Sequence, residues 1–329
     1  MTAIRGSGTA SVAGNYVFLA SNAYSGSTLL SFLLGAHPQI GTVSDISGQR
    51  RERSMATFAC SCGRRMTDCP FWHAVAEELR RSGRVFSLAN FHLGFDDRSP
   101  RWLGSARVRS LGGHAPEAFR DRLSRFLPGD ERRMRELGRR NAAFAAAVLD
   151  VTGASVFVDA SKERLRARYL QRYVDPELRV IHLVRDVREV VESTLRRGKL
   201  RISASDAARR WARTNAAIMR SVETVDPNRR LLVRYEDLCT DLLGTMRRLF
   251  AFCGVDPEVD VSRIVSSEQH LIGNSMRLAG LDAVRLDERW RTTLTPEDQR
   301  RIATSAGPLH ALLAADTSRP STPAAASHG

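Results

Sequence analysis

Lysine is nearly missing from this 329-residue chain, which contains only Lys162 and Lys199. Arginine therefore supplies almost all of the positive charge behind a formal net charge of +14. An excess of this size favours polyanionic partners, such as nucleotides, phosphorylated or sulfated ligands, nucleic acid or an acidic surface. Biased use of arginine on solvated faces accounts for the composition equally well. Because lysine is so scarce, the position of Lys162 after a predicted strand is informative.

Long hydrophobic runs are also missing. No run approaches the ~20 apolar residues that cross a bilayer, and residues 1–15 lack the apolar core of a signal peptide. We therefore expect a cytoplasmic protein without a transmembrane segment. The five cysteines are few and odd in number, which argues against a disulfide framework in a chain without an export signal. A hydrophobic content of 43% suffices for a sizeable core.

Apolar runs of strand length alternate with helical patterns along most of the chain. The predicted strands are Asn15–Ser21, Ser155–Ser161, Leu178–Asp186 and the segment RLLVRYEDL at 230–238. The predicted helices are Thr28–Leu34, Arg164–Tyr173, Arg188–Arg197, Ser205–Val225 and Leu242–Phe252. The near-continuous apolar run of the third strand suits a parallel strand that is covered on both faces. The alternation predicts an α/β fold with three layers and a central, mostly parallel sheet.

The domain organisation predicted from composition has four parts. Residues 1–14 are expected to form a flexible N-terminus, and residues 15–315 a single domain. Within that domain, residues from about 60 to 140 break the strand–helix alternation and read as a helical insertion that is rich in cysteine and arginine. The final residues, 316–329, are a disordered tail by composition.

A small hydroxyl-rich turn, Ser25-Gly26-Ser27-Thr28, joins the first predicted strand to the first predicted helix. Ligands of parallel α/β sheets bind at such strand ends, and backbone N–H groups at a helix N-terminus attract anions. The turn lacks the lysine of the nucleotide-binding motif GxxxxGK[ST]. It therefore suits an anion with less charge than a triphosphate, such as a sulfuryl group on a phosphate. An ordinary helix N-cap built from small residues is the alternative.

Seven segments resemble, in their order and spacing, the sulfotransferases that use 3'-phosphoadenosine 5'-phosphosulfate (PAPS). They are YSGSTLL, AHPQIGTVSD, DASK, LVRDVREVVES, RWARTN, LLVRYEDL and HLIGNSMR. The bacterial and tyrosylprotein-type enzymes are the most similar, over residues 16–58 and 155–295. The resemblance implies a P-loop-like fold, PAPS as co-substrate and no required metal. It also implies in-line transfer of the sulfuryl group to a hydroxyl, or less readily an amine, of a small molecule, carbohydrate or lipid.

The resemblance also implies a set of nucleotide-binding residues. They are Ser25, Gly26, Ser27, Thr28, Leu29, Arg185, Ser193, Arg197, Tyr235, Asn274, Ser275 and Arg277. Arg185 and Ser193 match the pair that holds the 3'-phosphate. An arginine that leaves a strand and a hydroxyl eight residues later can close on one phosphate from two sides. An ion pair with a carboxylate is the alternative role for Arg185, and core packing is the alternative role for Tyr235.

Three residues match the catalytic positions of the family: Asp45, Lys162 and Ser27. Lys162 resembles the lysine that touches the sulfuryl group as it moves. Asp45 falls where the tyrosylprotein-type branch has a glutamate that takes the proton of the acceptor, although it could instead cap a helix beginning at Ile46. Tyr24 stands where the family more often has an arginine. Either Lys162 or an arginine of the insertion compensates, or the acceptor differs from the protein tyrosines of that branch.

A cysteine-rich stretch, CSCGRRMTDCPFWH, lies outside the resemblance. It presents Cys60, Cys62, Cys69 and His73 with the spacing C-x-C-x6-C-x3-H. Three thiolates and an imidazole can close a tetrahedral zinc site. The spacing departs from the usual gaps between zinc ligands, so structural packing of the thiols, or a disulfide formed on oxidation, are alternatives.

Two rival functions follow from the same residues. A nucleotide-type kinase also holds phosphate with a strand, a turn and a helix, but the missing motif lysine counts against it. A nucleic-acid-binding protein could use the arginine-rich stretch from Arg98 to Arg140 to contact phosphates. Few aromatic residues interleave that stretch, and the seven motifs would then have no role. The sequence therefore favours a sulfotransferase that does not bind nucleic acid.

Overall fold

The central element of the fold is a five-stranded sheet in which every neighbouring pair of strands is parallel. The computed structural model describes residues 12–46, 58–88, 91–95, 114–124, 129–197, 202–261, 268–278 and 284–315. The strands are β1 (Tyr16–Ser21), β2 (Ile40–Ser44), β3 (Val156–Asp159), β4 (Arg179–Val184) and β5 (Arg230–Arg234). Their order across the sheet is β2-β3-β1-β4-β5. The predicted α/β class with a parallel central sheet is confirmed.

Helices connect the strands and cover the sheet. They are α1 (Ser27–Gly35), α2 (Pro70–Arg81), α3 (His114–Ser124), α4 (Asp130–Thr152), α5 (Arg166–Tyr173), α6 (Val187–Arg196), α7 (Ala204–Val222), α8 (Tyr235–Thr240), α9 (Leu242–Cys253), α10 (Trp290–Thr293) and α11 (Pro296–Ala315). The predicted helices correspond to α1, α5, α6, α7 and α9, with ends that differ by a few residues.

Successive side chains of β1 alternate between two hydrophobic clusters, as strand geometry requires. Tyr16 and Phe18 pack into the cluster that contains α4 and Trp72 of α2. Val17 and Leu19 pack into the opposite cluster, which contains residues of α1 and α9. Every residue of β1 is buried, because parallel strands are covered by helices on both faces. The sheet is therefore the middle layer of three.

The sequence prediction was wrong at two strands. We predicted a strand over residues 230–238, but β5 ends at Arg234 and Tyr235–Thr240 is helical. We predicted no strand at Ile40–Ser44, which forms the edge strand β2 beside β3. Gly41 weakens the strand pattern there, and pairing with β3 overrides the local preference. The short helix α8 places the Tyr235 side chain at the end of β5.

The segment between β2 and β3 contains the helices α2, α3 and α4, together with non-helical residues at 58–65, 82–88 and 91–95. Helix α2 packs against α4, and α4 continues to Thr152, beyond the predicted end of the insertion near residue 140. Residues 1–11 and 316–329, which include most of the predicted flexible N-terminus and the whole predicted tail, lie outside the described residues. Within the described ranges, no helix combines the length and apolar content that crossing a bilayer requires.

Candidate active site

The five strands end at one edge of the sheet, and each is followed by part of the predicted site. In order across the sheet, these parts are Asp45 after β2, Lys162 after β3, the Ser25–Thr28 turn after β1, Arg185 after β4 and Tyr235 after β5. The chain runs to one side of β1 for β2 and β3 and to the other side for β4 and β5. Open α/β sheets bind ligands at such a reversal of strand order. The turn after β1 lies at this point.

Gly26 shapes the turn through its backbone and through its lack of a side chain. It is the N-cap of α1 with φ +89°, and no side chain caps the helix there. A Cβ on Gly26 would lie 2.5 Å from Tyr235 Cε2 and closer still to Cδ2. The ordinary alternative of a small-residue N-cap therefore finds no support in hydrogen bonding. The first amides of α1 can therefore bind an anion at this end of the helix.

Lys162 reaches the turn from the neighbouring strand. Its Nζ donates to Ser21 Oγ at 3.2 Å and also to Ser27 Oγ. Ser21 is the last residue of β1 and Ser27 the first of α1, so the ammonium group spans the strand exit and the helix entrance. The predicted catalytic pair of Lys162 and Ser27 is thus in direct contact. A cation placed here complements the positive end of the α1 dipole in binding an anion.

A buried ion pair fixes the chain that carries Lys162. Asp159, the last residue of β3, accepts from Arg166 Nε at 2.7 Å, from Tyr16 Oη at 3.0 Å and from Ser161 N at 2.9 Å. Asp159 is 0% exposed and Arg166 is 1% exposed. Arg166 also donates to Asn141 Oδ1 at 2.6 Å. Sequence reasoning missed this network, whose only local signal is an aspartate at the end of an apolar strand.

Arg185 is buried and makes contacts on three sides. Its Nε donates to Glu189 Oε2 at 2.5 Å, and its Nη1 donates to the Tyr24 carbonyl at 3.1 Å. The guanidinium carbon lies 4.4 Å from the centre of the Tyr235 ring. The alternative of an ion pair is therefore present, but with the buried Glu189 rather than with a surface carboxylate. The same contacts bring Arg185 to the Tyr24 end of the turn.

Glu189 is the residue that sequence reasoning missed at this position. Burial, which outweighs the opposing effect of Arg185, raises its pKa to about 7. The signal that could have found it is the spacing of four residues from Arg185, which favours a pair on one helix face. Ser193 and Arg197 continue the spacing along α6 and its C-cap. The Ser193 hydroxyl is buried and has only a long contact of 3.5 Å with Glu192 Oε2.

Tyr24 contacts both Arg185 and Arg197. Its carbonyl accepts from Arg185, and its ring centre lies 5.5 Å from the guanidinium carbon of Arg197. Tyr24 has φ +65°, a left-handed conformation that is uncommon for a residue with a large side chain. Such outliers concentrate at functional sites. Arg185 and Arg197 thus flank Tyr24. Compensation for the family arginine by Lys162 or by an arginine of the insertion, or a different acceptor, stays a prediction.

Asp45 approaches the turn from the β2 side of β1, whereas Arg185 approaches it from the β4 side. A Cβ on Gly273 would lie 3.7 Å from Thr28 Oγ1 and 3.9 Å from Asp45 Cβ. The Asp45 amide donates to the Ile272 carbonyl at 3.4 Å, and Ile272 donates to Val43 at 3.0 Å. The segment around Gly273 thus links Asp45 to the start of α1. The capping alternative for Asp45 concerns a helix that would run into residues 47–57, outside the described residues.

Part of the sequence that forms this site is similar to a known protein family. The model of the sulfotransferase family matches residues 98–259. The match covers just under half of the chain, and this part of the sequence is similar to sulfotransferases. The matched range contains Lys162, Arg185, Ser193, Arg197 and Tyr235, which all lie at the site edge of the sheet or on α6. It begins inside the segment for which we expected no resemblance to sulfotransferases, so that segment is partly shared with the family.

Solved sulfotransferase structures are similar at low identity. The sulfotransferase domain from the curacin biosynthetic pathway is 18% identical, with a TM-score of 0.46 over 90% of this chain and 98% of that chain. The sulfotransferase domain of the Synechococcus PCC 7002 olefin synthase is 19% identical, with a TM-score of 0.45 over 89% and 94%. Mouse sulfotransferase SULT7A1, complexed with PAP, is 11% identical, with a TM-score of 0.44 over 92% and 90%. No curated protein sequence matches the chain. Likenesses this distant carry no information on residue roles.

The C-terminal motif, residues 270–277, folds beside the turn, but its residues differ in placement. Asn274 and Ser275 are exposed. Arg277 is buried, and it donates from Nε to the Ala59 carbonyl at 3.0 Å and from Nη1 to the Gly273 carbonyl at 2.7 Å. These contacts join the motif to the cysteine-rich segment. A role for Arg277 in binding the nucleotide stays a prediction.

The three cysteines of the cysteine-rich stretch gather around an imidazole other than the predicted one. Ligand atoms of Cys60, Cys62, Cys69 and His270 all lie within 4.8 Å of one another. His73 is not part of this group among the described residues, because it is exposed and its Nε2 contacts the Thr67 carbonyl. Burial raises the pKa of Cys60 to about 12 and lowers the pKa of His270. Sequence spacing could not supply His270, which is 201 residues from Cys69.

Proposed function

We propose that this protein is a sulfotransferase that uses PAPS as the sulfuryl donor and transfers the group to a hydroxyl, or less readily an amine, by in-line displacement. The observation that carries the proposal is the contact of Lys162 Nζ with Ser27 Oγ at the start of α1. A lysine from the β3 end replaces the motif lysine that the turn itself lacks. This arrangement supports a mobile sulfuryl group held between an ammonium group, a hydroxyl and the amides of the turn.

The donor would lie along the edge of the sheet on both sides of the turn. The amides from Ser25 to Leu29 would hold the 5'-phosphosulfate. The 3'-phosphate would be held by Arg185, Ser193 and Arg197. Together with Glu189, the ion-pair partner of Arg185, these residues are spaced four apart and so lie on one face along α6. Two nitrogens of the Arg185 guanidinium are already engaged. A phosphate would therefore bind at its remaining donors or compete with Glu189.

The reaction would break the sulfur–oxygen bond to the 5'-phosphate and form a sulfur–oxygen bond to the acceptor. Negative charge develops on the leaving oxygen of 3'-phosphoadenosine 5'-phosphate, where Lys162, Ser27 and Thr28 would stabilise it. Asp45 would accept the proton of the acceptor hydroxyl and later release it to solvent. Its proximity to Thr28 across Gly273 supports this role. No step in this sequence requires a metal ion.

The acceptor would be a hydroxylated small molecule, a carbohydrate or a lipid, rather than a nucleic acid. We propose that residues 15–315 act as one cytoplasmic sulfotransferase domain, in which the helical segment between β2 and β3 shapes the acceptor site. A cavity of about 410 Å³ in this segment is lined by Leu79, Phe86, Phe91, Phe144 and Arg140. None of its lining residues belongs to the predicted donor set. The cavity is thus separate from the proposed donor site at the strand ends.

Nucleotide-dependent thermal stability tests the proposal. We expect 3',5'-ADP to raise the melting temperature without magnesium, and 5'-ADP and duplex DNA to have little effect. Stabilisation by ATP that requires magnesium would favour a kinase. Stabilisation by duplex DNA with a steep salt dependence would favour a nucleic-acid-binding protein. Either result, without a response to 3',5'-ADP, would contradict the proposal.

Two variants then separate the proposed roles. Arg185→Ala should lower the affinity for 3',5'-ADP by about tenfold to a hundredfold, because hydrogen bonds to charged groups contribute roughly 1.5–3 kcal/mol. Arg209→Ala removes an exposed arginine that pairs with Asp206 and should leave this affinity unchanged. Asp45→Asn should slow turnover but leave nucleotide affinity nearly intact. Normal turnover by Asp45→Asn would exclude it as the base.

A further inference from the structure

The cysteine-rich segment and the C-terminal motif meet in a four-residue cluster of thiols and one imidazole. Cys69 Sγ lies 3.3 Å from His270 Nδ1, Cys60 Sγ lies 3.6 Å from the same atom, and Cys62 Sγ lies 3.7 Å from Cys69 Sγ. Zn–S bonds of about 2.3 Å and Zn–N bonds of about 2.0 Å in a tetrahedron separate two sulfurs by about 3.7 Å and a sulfur from a nitrogen by about 3.5 Å. These three of the six separations therefore agree with the edges of a tetrahedral zinc site, and all six lie within 4.8 Å.

We propose that Cys60, Cys62, Cys69 and His270 bind one structural zinc ion. The three thiols would lose their protons to solvent and bind as thiolates, and His270 would bind through Nδ1. Four protein ligands close the coordination sphere, so the ion would hold structure and would not activate water. The site differs from the one that sequence spacing indicates, because His270 replaces His73 as the nitrogen ligand.

Neighbouring residues support the segment that carries His270. The Phe71 ring stacks on the His270 ring with centres 4.6 Å apart and planes 6° from parallel. Ser61, between the first two cysteines, donates to the Gln269 carbonyl at 2.5 Å and accepts from Leu271 N at 2.7 Å. These hydrogen bonds fix the backbone on both sides of His270. Such support orients a metal-binding imidazole.

A disulfide between Cys62 and Cys69 is the competing explanation for the cluster. It would use two of the four groups and leave Cys60 and His270 facing each other without a shared partner. It would also require the two sulfurs to approach from 3.7 Å to about 2.05 Å. Simple packing of buried thiols would rely on S–H···N hydrogen bonds from Cys60 and Cys69 to one imidazole nitrogen, and a thiol is a weak donor. A metal ion accounts for all four groups at once.

The zinc ion would fasten the C-terminal motif beside the turn after β1. Ile272, two residues after His270, pairs with Ser44 of β2, and Gly273 lies against Thr28 and Asp45. Arg277 fastens the other end of the same motif to Ala59. Removal of zinc should therefore loosen the segment that contacts Asp45. This consequence for ligand binding rests on the proposed function, whereas metal binding itself does not.

Metal analysis of the full chain, purified under reducing conditions, tests the site. We expect about one zinc per chain, and cobalt substitution should give the visible absorption of a tetrahedral thiolate complex. His270→Asn should weaken zinc binding by at least about tenfold. His73→Asn is the matched control and should retain zinc. Zinc content far below one per chain without a cobalt spectrum, or equal zinc affinity in both histidine variants, would overturn the proposal.

Two further measurements separate the remaining outcomes. A mass two hydrogens lower under reducing conditions, with a crosslink between Cys62 and Cys69, would identify a disulfide and overturn the metal site. Chelation of zinc should lower the melting temperature and weaken 3',5'-ADP binding. If chelation changes the melting temperature but not 3',5'-ADP binding, the zinc site stands and its link to the donor site fails. If wild-type zinc-loaded protein does not bind 3',5'-ADP, the proposed function fails independently.

Discussion

Substitution of Gly26 is the sharpest test of the turn after β1. Gly26→Ala adds one methyl group to a residue with φ +89° that lies beneath the Tyr235 ring. Left-handed backbone costs an L-residue roughly 1–2 kcal/mol. The new Cβ would also lie 2.5 Å from Tyr235 Cε2, which is below the 3.0 Å that real Cβ contacts respect. Displacing a packed ring adds roughly 1–3 kcal/mol. The total expected loss of stability is about 2–5 kcal/mol.

Gly153→Ala supplies the matched control. Gly153 is the C-cap of α4 with φ +70°, and a Cβ there would have no heavy atom within 4 Å. This variant should lose only the backbone contribution of roughly 1–2 kcal/mol. Urea denaturation of both variants measures the difference in the free energy of unfolding. The difference between them isolates the contact of Gly26 with Tyr235.

A double-mutant cycle with Tyr235→Ala completes the test. Without the ring, the added methyl group has space, so Gly26→Ala should cost no more than Gly153→Ala. The expected coupling energy is about 1–3 kcal/mol, equal to the cost of displacing the ring. Calorimetry should show weaker 3',5'-ADP binding by Gly26→Ala. Equal losses for the two alanine variants, together with additive effects in the cycle, would refute the packing of Tyr235 against the turn.

Three other predictions concern the groups around the turn. Asp159→Asn removes the closer carboxylate of the buried Arg166, which keeps only the longer contact of 3.5 Å with Glu163, and should cost about 3 kcal/mol in urea denaturation. A loss no larger than that of the exposed Asp206→Asn would contradict this. Burial raises the pKa of Glu189 from 4.5 to about 7. The folded state therefore favours the protonated side chain, and the stability that this contributes to folding is complete below pH 4.5 and is lost as the pH rises towards 7. Glu189→Gln should remove this pH dependence of the free energy of unfolding, measured by urea denaturation from about pH 5 to about pH 8. Parallel curves for the wild type and the variant would exclude Glu189 as its source. Lys162→Gln should lower turnover by about 100-fold or more with little change in 3',5'-ADP affinity, and unchanged turnover would remove Lys162 from the reaction.

Much of the candidate site could be predicted from sequence, because its parts follow strands that local patterns reveal. The apolar runs before Ser25, Lys162 and Arg185 are strong signals for buried parallel strands, and such strands end at one edge of a sheet. Motif order therefore suffices to bring these residues to one edge. The prediction missed β2, where sheet pairing overrides a weak local preference. It also extended β5 too far, because a helix begins at Tyr235.

The amino-acid sequence by itself determined the α/β class, the turn after β1 and the family motifs, because these depend on residue periodicity and on short spacings. Only the tertiary structure decided which distant groups meet. Cys69 and His270 are 201 residues apart, and Asp159 binds Tyr16 across 143 residues. Glu189 gains its raised pKa only when packing removes water from it. Such contacts depend on strand order and burial, which no local pattern encodes.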